Sequence, residues 1–197
     1  MEENHTFEEV IDFISYIDQL KSVIRKNALH DGSRAENTAE HSWHAALSAF
    51  LLEPYADQPV DINKVIKMLL IHDLVEIEAG DTYIYNREET ARQEQNERQA
   101  AEILLSYLPE DQGKTIQALW DEFEARVTPE AKFAKAIDRF LPLYSNFKTG
   151  GYSWGPYNIS RDHVKEIAGI IQDGSTKLWH LVEEMLDESV NNGYLNP

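Results

Sequence analysis

The sequence predicts an all-α fold, a single-domain helical bundle. Apolar residues recur at steps of three and four along most of the chain, which is the periodicity of amphipathic helices, and no segment convincingly alternates as a strand does. A length of 197 residues fits one domain that buries a full core. No internal repeat or low-complexity linker divides the chain, so we expect one domain over residues 1–197.

Capping residues and helix breakers place the ends of the predicted helices. Asn37, with Glu40 three residues later, is typical of a helix start, and Asp61 caps the most apolar helix, which ends near Gly80. Pro142 is expected to kink the sixth helix because proline lacks the N–H that the helix needs. The predicted helices cover residues 7–20, 37–52, 62–77, 87–107, 111–126 and 129–138, and two more follow caps at Ser160 and Ser175.

The composition excludes several classes of function. The chain has 35 acidic and 18 basic residues, a net charge of −17, which repels DNA, RNA and anionic membranes. It has no cysteine, so a disulfide framework, a thiolate nucleophile and a cysteine-ligated metal site are excluded. Residues 1–20 are acidic where a signal peptide is basic, and no apolar run approaches the ~20 residues of a membrane span. We therefore expect a cytoplasmic protein.

Four imidazole and carboxylate side chains occupy positions where an apolar side chain would pack. His72 and Asp73 lie within the most apolar helix, His41 begins a helix with an apolar face, and Asp138 interrupts an apolar stripe. A buried ion pair explains an isolated His-Asp doublet, because a buried carboxylate needs a partner. One divalent ion would explain all four positions at once. Two imidazoles and two carboxylates suit Mn, Co, Zn or Fe, whereas Mg and Ca prefer oxygen ligands.

The order of these four residues resembles the HD-domain metal-dependent phosphohydrolases. The pattern is His41, then His72-Asp73, then Asp138, on a chain predicted to be helical. The resemblance covers about residues 20–143, and helices at about 160–190 would complete the fold. It implies one divalent transition-metal ion held by those four residues.

Neighbouring motifs are similar to the branch of this superfamily that contains the 5′-deoxynucleotidases. They are Arg34-x-Glu36-Asn-Thr-Ala-Glu40-His41, His72-Asp73-x-x-Glu76 and Gly80-Asp81. The resemblance implies that Glu76 and Asp81 serve the attacking water and the substrate. Glu76 would accept or orient the proton of that water. Asp81 would either protonate the departing nucleoside oxygen or hold the ribose hydroxyl, and the sequence leaves both roles open.

Phosphate recognition needs cations, which are scarce in this chain. Arg25 matches the family's phosphate-contacting arginine, and a guanidinium offers planar, bidentate donors to phosphate. Arg34 and Arg139 are further candidates, with a surface ion pair as the alternative for Arg34. Lys26 stands where characterised 5′-deoxynucleotidases of this branch have a tryptophan that helps exclude ribonucleotides. The preference between deoxyribose and ribose is therefore open.

The predicted activity is the hydrolysis of (deoxy)nucleoside 5′-monophosphates to nucleoside and phosphate. Metal-bound hydroxide would attack phosphorus, because a divalent ion lowers the pKa of its water towards ~7. An alternative in the same superfamily is a phosphodiesterase or a ppGpp-type hydrolase; the former often uses a second metal, for which only His44 is a spare ligand. A third hypothesis is a non-catalytic, metal-binding helical adaptor, which would have no use for Glu76 and Asp81.

Tryptophans bear on packing and assembly. Trp43, Trp120 and Trp179 are expected to fill the core. By analogy with soluble enzymes of this kind we expect a homodimer, with the final helix and apolar residues around Trp154 as the contact.

Overall fold

Helices form most of the chain in a computed structural model that describes the backbone of residues 2–197 and the side chains of residues 6–86, 92–93 and 95–197. The α-helices are α1 (Glu2–Ile17), α2 (Thr38–Leu52), α3 (Ile62–Ile71), α4 (Glu76–Ala79), α5 (Arg87–Leu105), α6 (Glu110–Ala125), α7 (Pro129–Lys148), α8 (Arg161–Ala168) and α9 (Thr176–Asn191). Short 3₁₀ turns at 18–22, 53–55, 155–157 and 169–173 join some of them. The predicted all-α class is confirmed.

The predicted caps form at the expected positions. Asn37 and Glu40 make a reciprocal capping box at the start of α2. Asp61 accepts hydrogen bonds from the first backbone N–H groups of α3. Ser160 and Ser175 cap α8 and α9 in the same way. These side chains satisfy N–H groups that a helix start leaves without a partner, which is why sequence alone located them.

Two short antiparallel strands, β1 (Ile24–Ala28) and β2 (Ala35–Asn37), precede α2, so the expectation that the chain has no strand was wrong. The pairing is irregular between its two ends. Because β1 reads Ile-Arg-Lys-Asn-Ala, it lacks the alternation that identifies a strand. The hairpin matters for function because β1 carries Arg25 towards the helical core.

The predicted helix over residues 62–77 is interrupted in the middle. α3 ends at Ile71 and α4 begins at Glu76. Between them the backbone N–H groups of Leu74 and Glu76 donate to carbonyls three residues earlier, a tighter turn than an α-helix. Apolar residues continue through the break, so periodicity did not reveal it. His72 and Asp73 lie in this turn.

α7 is the central helix of the bundle. It runs through Asp138, as predicted, and continues past Pro142 to Lys148. Its buried face packs with α2, α3 and α9 in the main hydrophobic core. A smaller cluster around Phe13, Leu74 and Leu104 holds α1 and α5 against the turn that contains His72 and Asp73. The core therefore surrounds the segments that carry all four predicted ligands.

Two of the expected core tryptophans are buried and one is not. Trp120 and Trp179 lie in the core, as predicted, but Trp43 is 62% exposed, so its assignment to the core was wrong. It points away from the bundle on α2, beside exposed Leu47. Trp154 is 1% exposed and therefore offers no surface for a contact with a second chain. No helix within the described residues is both long and apolar enough to cross a bilayer.

Candidate metal centre and active site

The four predicted ligands meet inside the bundle. His41 comes from the first turn of α2, His72 and Asp73 from the turn after α3, and Asp138 from the middle of α7. One ligand atom each from His41, His72 and Asp73 lies within 4.8 Å of the other two. Oδ1 of Asp138 lies 3.1 Å from His41 Nε2 and 3.4 Å from His72 Nε2. The structure thus brings together groups that are far apart in sequence.

The donor set of this cluster fits a divalent cation. Nδ1 of His72 donates a hydrogen bond to the Leu69 carbonyl oxygen at 2.9 Å, which directs Nε2 at the carboxylates. His72 Nε2 is shielded from solvent and has no hydrogen-bond partner of good geometry, although Asp73 Oδ2 lies only 3.1 Å away. Two imidazoles and two carboxylates around a common point are the ligands that divalent transition metals bind.

Protonation in the cluster follows from its charges. Burial disfavours the imidazolium of His72, but Asp73 and Asp138 outweigh burial and raise the pKa of His72 to about 10. At neutral pH the second ring proton of His72 therefore neutralises part of the negative charge of Asp73 and Asp138. A divalent cation would compete with that proton for Nε2, because metal ligands must be deprotonated.

Arg25 lies in a ring of carboxylates next to the two histidines. Its Nη1 atom is 2.8 Å from Asp73 Oδ2 and 3.7 Å from both Glu76 Oε1 and Asp81 Oδ1. Its Nε atom is 3.9 Å from Glu36 Oε2. The carboxylates outnumber the arginine, and all these side chains are nearly buried. Such an excess of negative charge, shielded from solvent, favours the binding of a further cation.

Glu76 and Asp81 lie beside the cluster, as the sequence predicted. Thr38 Oγ1 donates a hydrogen bond of 2.8 Å to Glu76 Oε2, which leaves Oε1 facing Arg25. Burial, and next the charge of Asp73, raise the pKa of Glu76 to about 9. Burial also raises the pKa of Asp81, while Arg25 opposes that shift. Burial thus favours the protonated form of both carboxyl groups.

Arg34 does not reach the cluster. It is 52% exposed and forms a bidentate ion pair with Glu40, at 2.6 and 2.8 Å. This is the surface pairing that the sequence left open as the alternative. Arg34 lines neither cavity beside the cluster. Arg25 and Asp81, the other two predicted substrate-binding residues, line the smaller one.

Sequence reasoning gave no role to three residues that contact the cluster. Glu36 Oε2 lies 3.7 Å from His41 Nδ1, the position of a carboxylate that orients a metal-binding imidazole. Thr38 holds Glu76, and Lys135 Nζ lies 3.6 Å from Asp138 Oδ2. A signal existed for Lys135, because residues three apart share a helix face. None existed for Thr38, whose contact spans 38 positions of the chain.

Two cavities that share six lining residues open beside the cluster. The larger has a volume of about 810 Å³ and the smaller about 150 Å³. The larger lies in the size range of small-molecule sites. The residues lining both are Asp73, Glu76, Thr82, Ile84, Lys135 and Arg139. A ligand of nucleotide size can therefore approach the cluster from the larger cavity.

Glu97 lines the larger cavity and makes stability depend on pH. Burial raises its pKa to about 7, and Glu124 adds to the shift while the hydrogen bond from Gln93 opposes it. The unfolded chain loses this proton near pH 4.5, but the folded chain keeps it to about pH 7. The protonated Glu97 carboxyl therefore contributes its full share of folding stability below pH 4.5. This contribution is lost as pH rises through 7.

We expect Glu97→Gln to remove this dependence. Relative to wild type, the variant gains stability on the order of 1–3 kcal/mol between pH 4.5 and 8, measured by thermal unfolding with chelator present. Glu102→Gln, at an exposed site on the same helix, is the matched control and shows no such trend. Parallel curves for wild type and Glu97→Gln across this range contradict the assignment.

A family model and several known proteins match this chain. The family model described as "HD domain" matches residues 17–179. The chain is 26% identical to human 5′-deoxynucleotidase HDDC2 over 136 residues, 68% of this chain and 65% of that protein. It is 30% identical to the Xenopus laevis protein of the same name over 133 residues, 66% of this chain and 64% of that protein. The chain thus spans just under two thirds of the length of these relatives.

A solved structure resembles the whole chain. The crystal structure of a predicted metal-dependent phosphohydrolase from Magnetospirillum magnetotacticum superposes with a TM-score of 0.93 and 46% sequence identity, covering 98% of this chain and 96% of that one. The family match includes the segments that carry His41, His72, Asp73 and Asp138. The chain therefore belongs to the HD-domain family.

Proposed function

We propose that this chain is a divalent-metal-dependent phosphomonoesterase that hydrolyses (deoxy)nucleoside 5′-monophosphates to nucleoside and phosphate. The observation that carries the proposal is the convergence of His41, His72, Asp73 and Asp138 on one point, with Glu76 beside them. The relatives named 5′-deoxynucleotidases support this substrate class. The family and the histidine–aspartate cluster support a divalent metal cofactor.

His41, His72, Asp73 and Asp138 would hold the ion, which we propose to be Mn, Co, Zn or Fe. A divalent ion in such a site polarises a phosphoryl oxygen and acidifies water. Glu36, 3.7 Å from His41 Nδ1, would fix the orientation of that imidazole. The protein thus provides ligands on elements that the core keeps in place.

Glu76 is the proposed general base. Thr38 occupies its Oε2 atom, so Oε1 is the atom that accepts a proton from the attacking water. Burial and the surrounding carboxylates favour its neutral form, against the opposing effects of Arg25 and of the Thr38 hydrogen bond. Additional positive charge in the cluster would stabilise the ionised form that a base requires.

Asp81 is the proposed proton donor to the departing nucleoside oxygen. Its raised pKa supports this role, because a general acid must keep its proton until the leaving group needs it. The other predicted role, a hydrogen bond to the ribose hydroxyl, uses the same carboxyl group in the smaller cavity. Arg25, 3.7 Å from Asp81 Oδ1, is the proposed partner of the phosphate at this end of the site.

Phosphate release from a substrate panel tests the proposed function. The panel contains deoxy- and ribonucleoside monophosphates, cyclic dinucleotides and ppGpp, each with several divalent ions. We expect release from the monophosphates only, loss of activity with EDTA, and recovery with Co²⁺ or Mn²⁺. Unchanged turnover in excess EDTA contradicts the metal mechanism.

The same panel separates the alternatives. Release from cyclic dinucleotides or ppGpp instead supports a phosphodiesterase or an alarmone hydrolase, and no release at all supports a binding adaptor. His44, the spare ligand that the sequence offered to a second metal, lies against the rings of His30 and Trp43.

Assembly, location and domain organisation stay predictions. We propose one domain over residues 1–197, supported by a main core that joins residues between 45 and 195. A cytoplasmic location fits a nucleotide substrate. For the proposed homodimer, α2 offers the exposed apolar residues Trp43, Leu47, Phe50 and Leu51, whereas Trp154 is buried.

A further inference from the structure

Arg139 on α7 has a guanidinium group without a counterion. Its Nε atom is shielded from solvent and has no hydrogen-bond partner, and no described carboxylate forms an ion pair with it. Asp138, the preceding residue, attracts the guanidinium, but the two side chains form no ion pair, and Arg126 and Arg25 lie close enough to repel it. The position therefore disfavours the charge that the side chain carries.

This lack of a counterion is unusual in so acidic a chain. There are 35 acidic residues for 18 basic ones, and two of the neighbouring cations are paired with carboxylates. Arg25 contacts Asp73, and Lys135 contacts Glu124 and Asp138. A half-buried guanidinium whose shielded Nε atom has no partner points to a ligand that supplies the missing one.

The location of Arg139 identifies that ligand as an anion. The side chain follows Asp138 on α7 and lines both cavities that meet at the cluster. An anionic substrate that approaches Asp73, Glu76 and Asp138 is repelled by their charge, so it needs a cation that those carboxylates have not already neutralised. Arg25 forms an ion pair with Asp73 at 2.8 Å, whereas Arg139 Nε has no hydrogen-bond partner.

We propose that Arg139 binds the non-bridging oxygens of the substrate's phosphoryl group, opposite Arg25. The inference rests on the proposed function for the identity of the substrate. The guanidinium supplies planar donors that suit two phosphate oxygens. A bound phosphate would supply the partner that no described carboxylate gives to this guanidinium.

Phosphate binding to the Mn²⁺-loaded protein tests this assignment separately from catalysis. Isothermal titration with inorganic phosphate is compared for wild type, Arg139→Gln, Arg139→Lys and the control Arg161→Gln, whose partner Asp187 lies on the surface. We expect Arg139→Gln to bind phosphate about 10- to 100-fold more weakly, Arg139→Lys to be intermediate, and the control to match wild type. In phosphate-free buffer, Arg139→Gln melts at the same temperature as wild type or higher.

Two results overturn the assignment. One is phosphate affinity in Arg139→Gln within twofold of wild type, and the other is an equal loss of affinity for a nucleoside, which carries no phosphate. If the first result comes with a lower melting temperature, Arg139 is a structural arginine. If wild type binds phosphate through Arg139 but hydrolyses no monophosphate, the proposed function fails and this inference stands.

Discussion

Asp73→Ala abolishes metal binding and reduces phosphate release to the level of the chelator-treated enzyme. Asp73 Oδ2 lies 3.1 Å from His72 Nε2, 4.0 Å from His41 Nε2 and 2.8 Å from Arg25. The substitution therefore removes a ligand and also the carboxylate that lies nearest to Arg25 and to His72 Nε2. Breaking a buried ion pair in this way typically costs about 3–5 kcal/mol, so the melting temperature falls as well.

Metal content and thermal unfolding with and without Mn²⁺ measure both effects. Asp121→Ala, at an exposed aspartate on α6, is the control and keeps wild-type metal content and melting temperature. Wild type melts at a higher temperature when Mn²⁺ is added, because an ion that binds only the folded chain stabilises it. An Asp73→Ala protein that binds Mn²⁺ as wild type does would remove Asp73 from the ligand set.

Glu76→Gln lowers kcat by ~10²–10⁴-fold while the ion stays bound. The amide keeps the hydrogen bond that Thr38 Oγ1 donates and fills the same space, but it cannot accept the proton of the attacking water. Because the proposed ligands are untouched, the affinity for Mn²⁺ changes by only a few fold. Single-turnover kinetics and metal titration separate the two quantities.

Glu78→Gln is the matched control, since Glu78 lies on the same short helix and its side chain accepts from Tyr16 rather than facing the cluster. We expect its kcat to equal that of wild type. If Glu76→Gln loses metal and activity to the same degree, Glu76 is a ligand rather than a base. A kcat within threefold of wild type removes it from the chemistry.

Local signals in the sequence predicted most of the helices and the four side chains that meet in the cluster. A capping side chain bonds to N–H groups within three residues of it. The helix starts at Asn37, Asp61 and Ser175 were therefore predictable from sequence alone. The positions of His41, His72-Asp73 and Asp138 also stood out in the sequence. Polar side chains on apolar helix faces are costly to bury unless they have partners.

Features that depend on packing were not predictable. The break after Ile71 leaves the apolar periodicity intact, and the short strand that carries Arg25 lacks alternation. Exposure of Trp43 follows from which face of α2 meets α3 and α7, which the sequence of α2 does not define. The missing counterion of Arg139 is a property of the assembled bundle, since any of 35 acidic residues was available in sequence.

Anomalous diffraction from crystals grown with Zn²⁺ shows whether the four side chains share one ion. We expect one strong peak within about 2.0–2.2 Å of a nitrogen of His41 and of His72 and an oxygen of Asp73 and of Asp138. A peak elsewhere in the molecule, or no peak at these side chains with Zn²⁺ in excess, would contradict the shared ion on which the proposed hydrolysis depends.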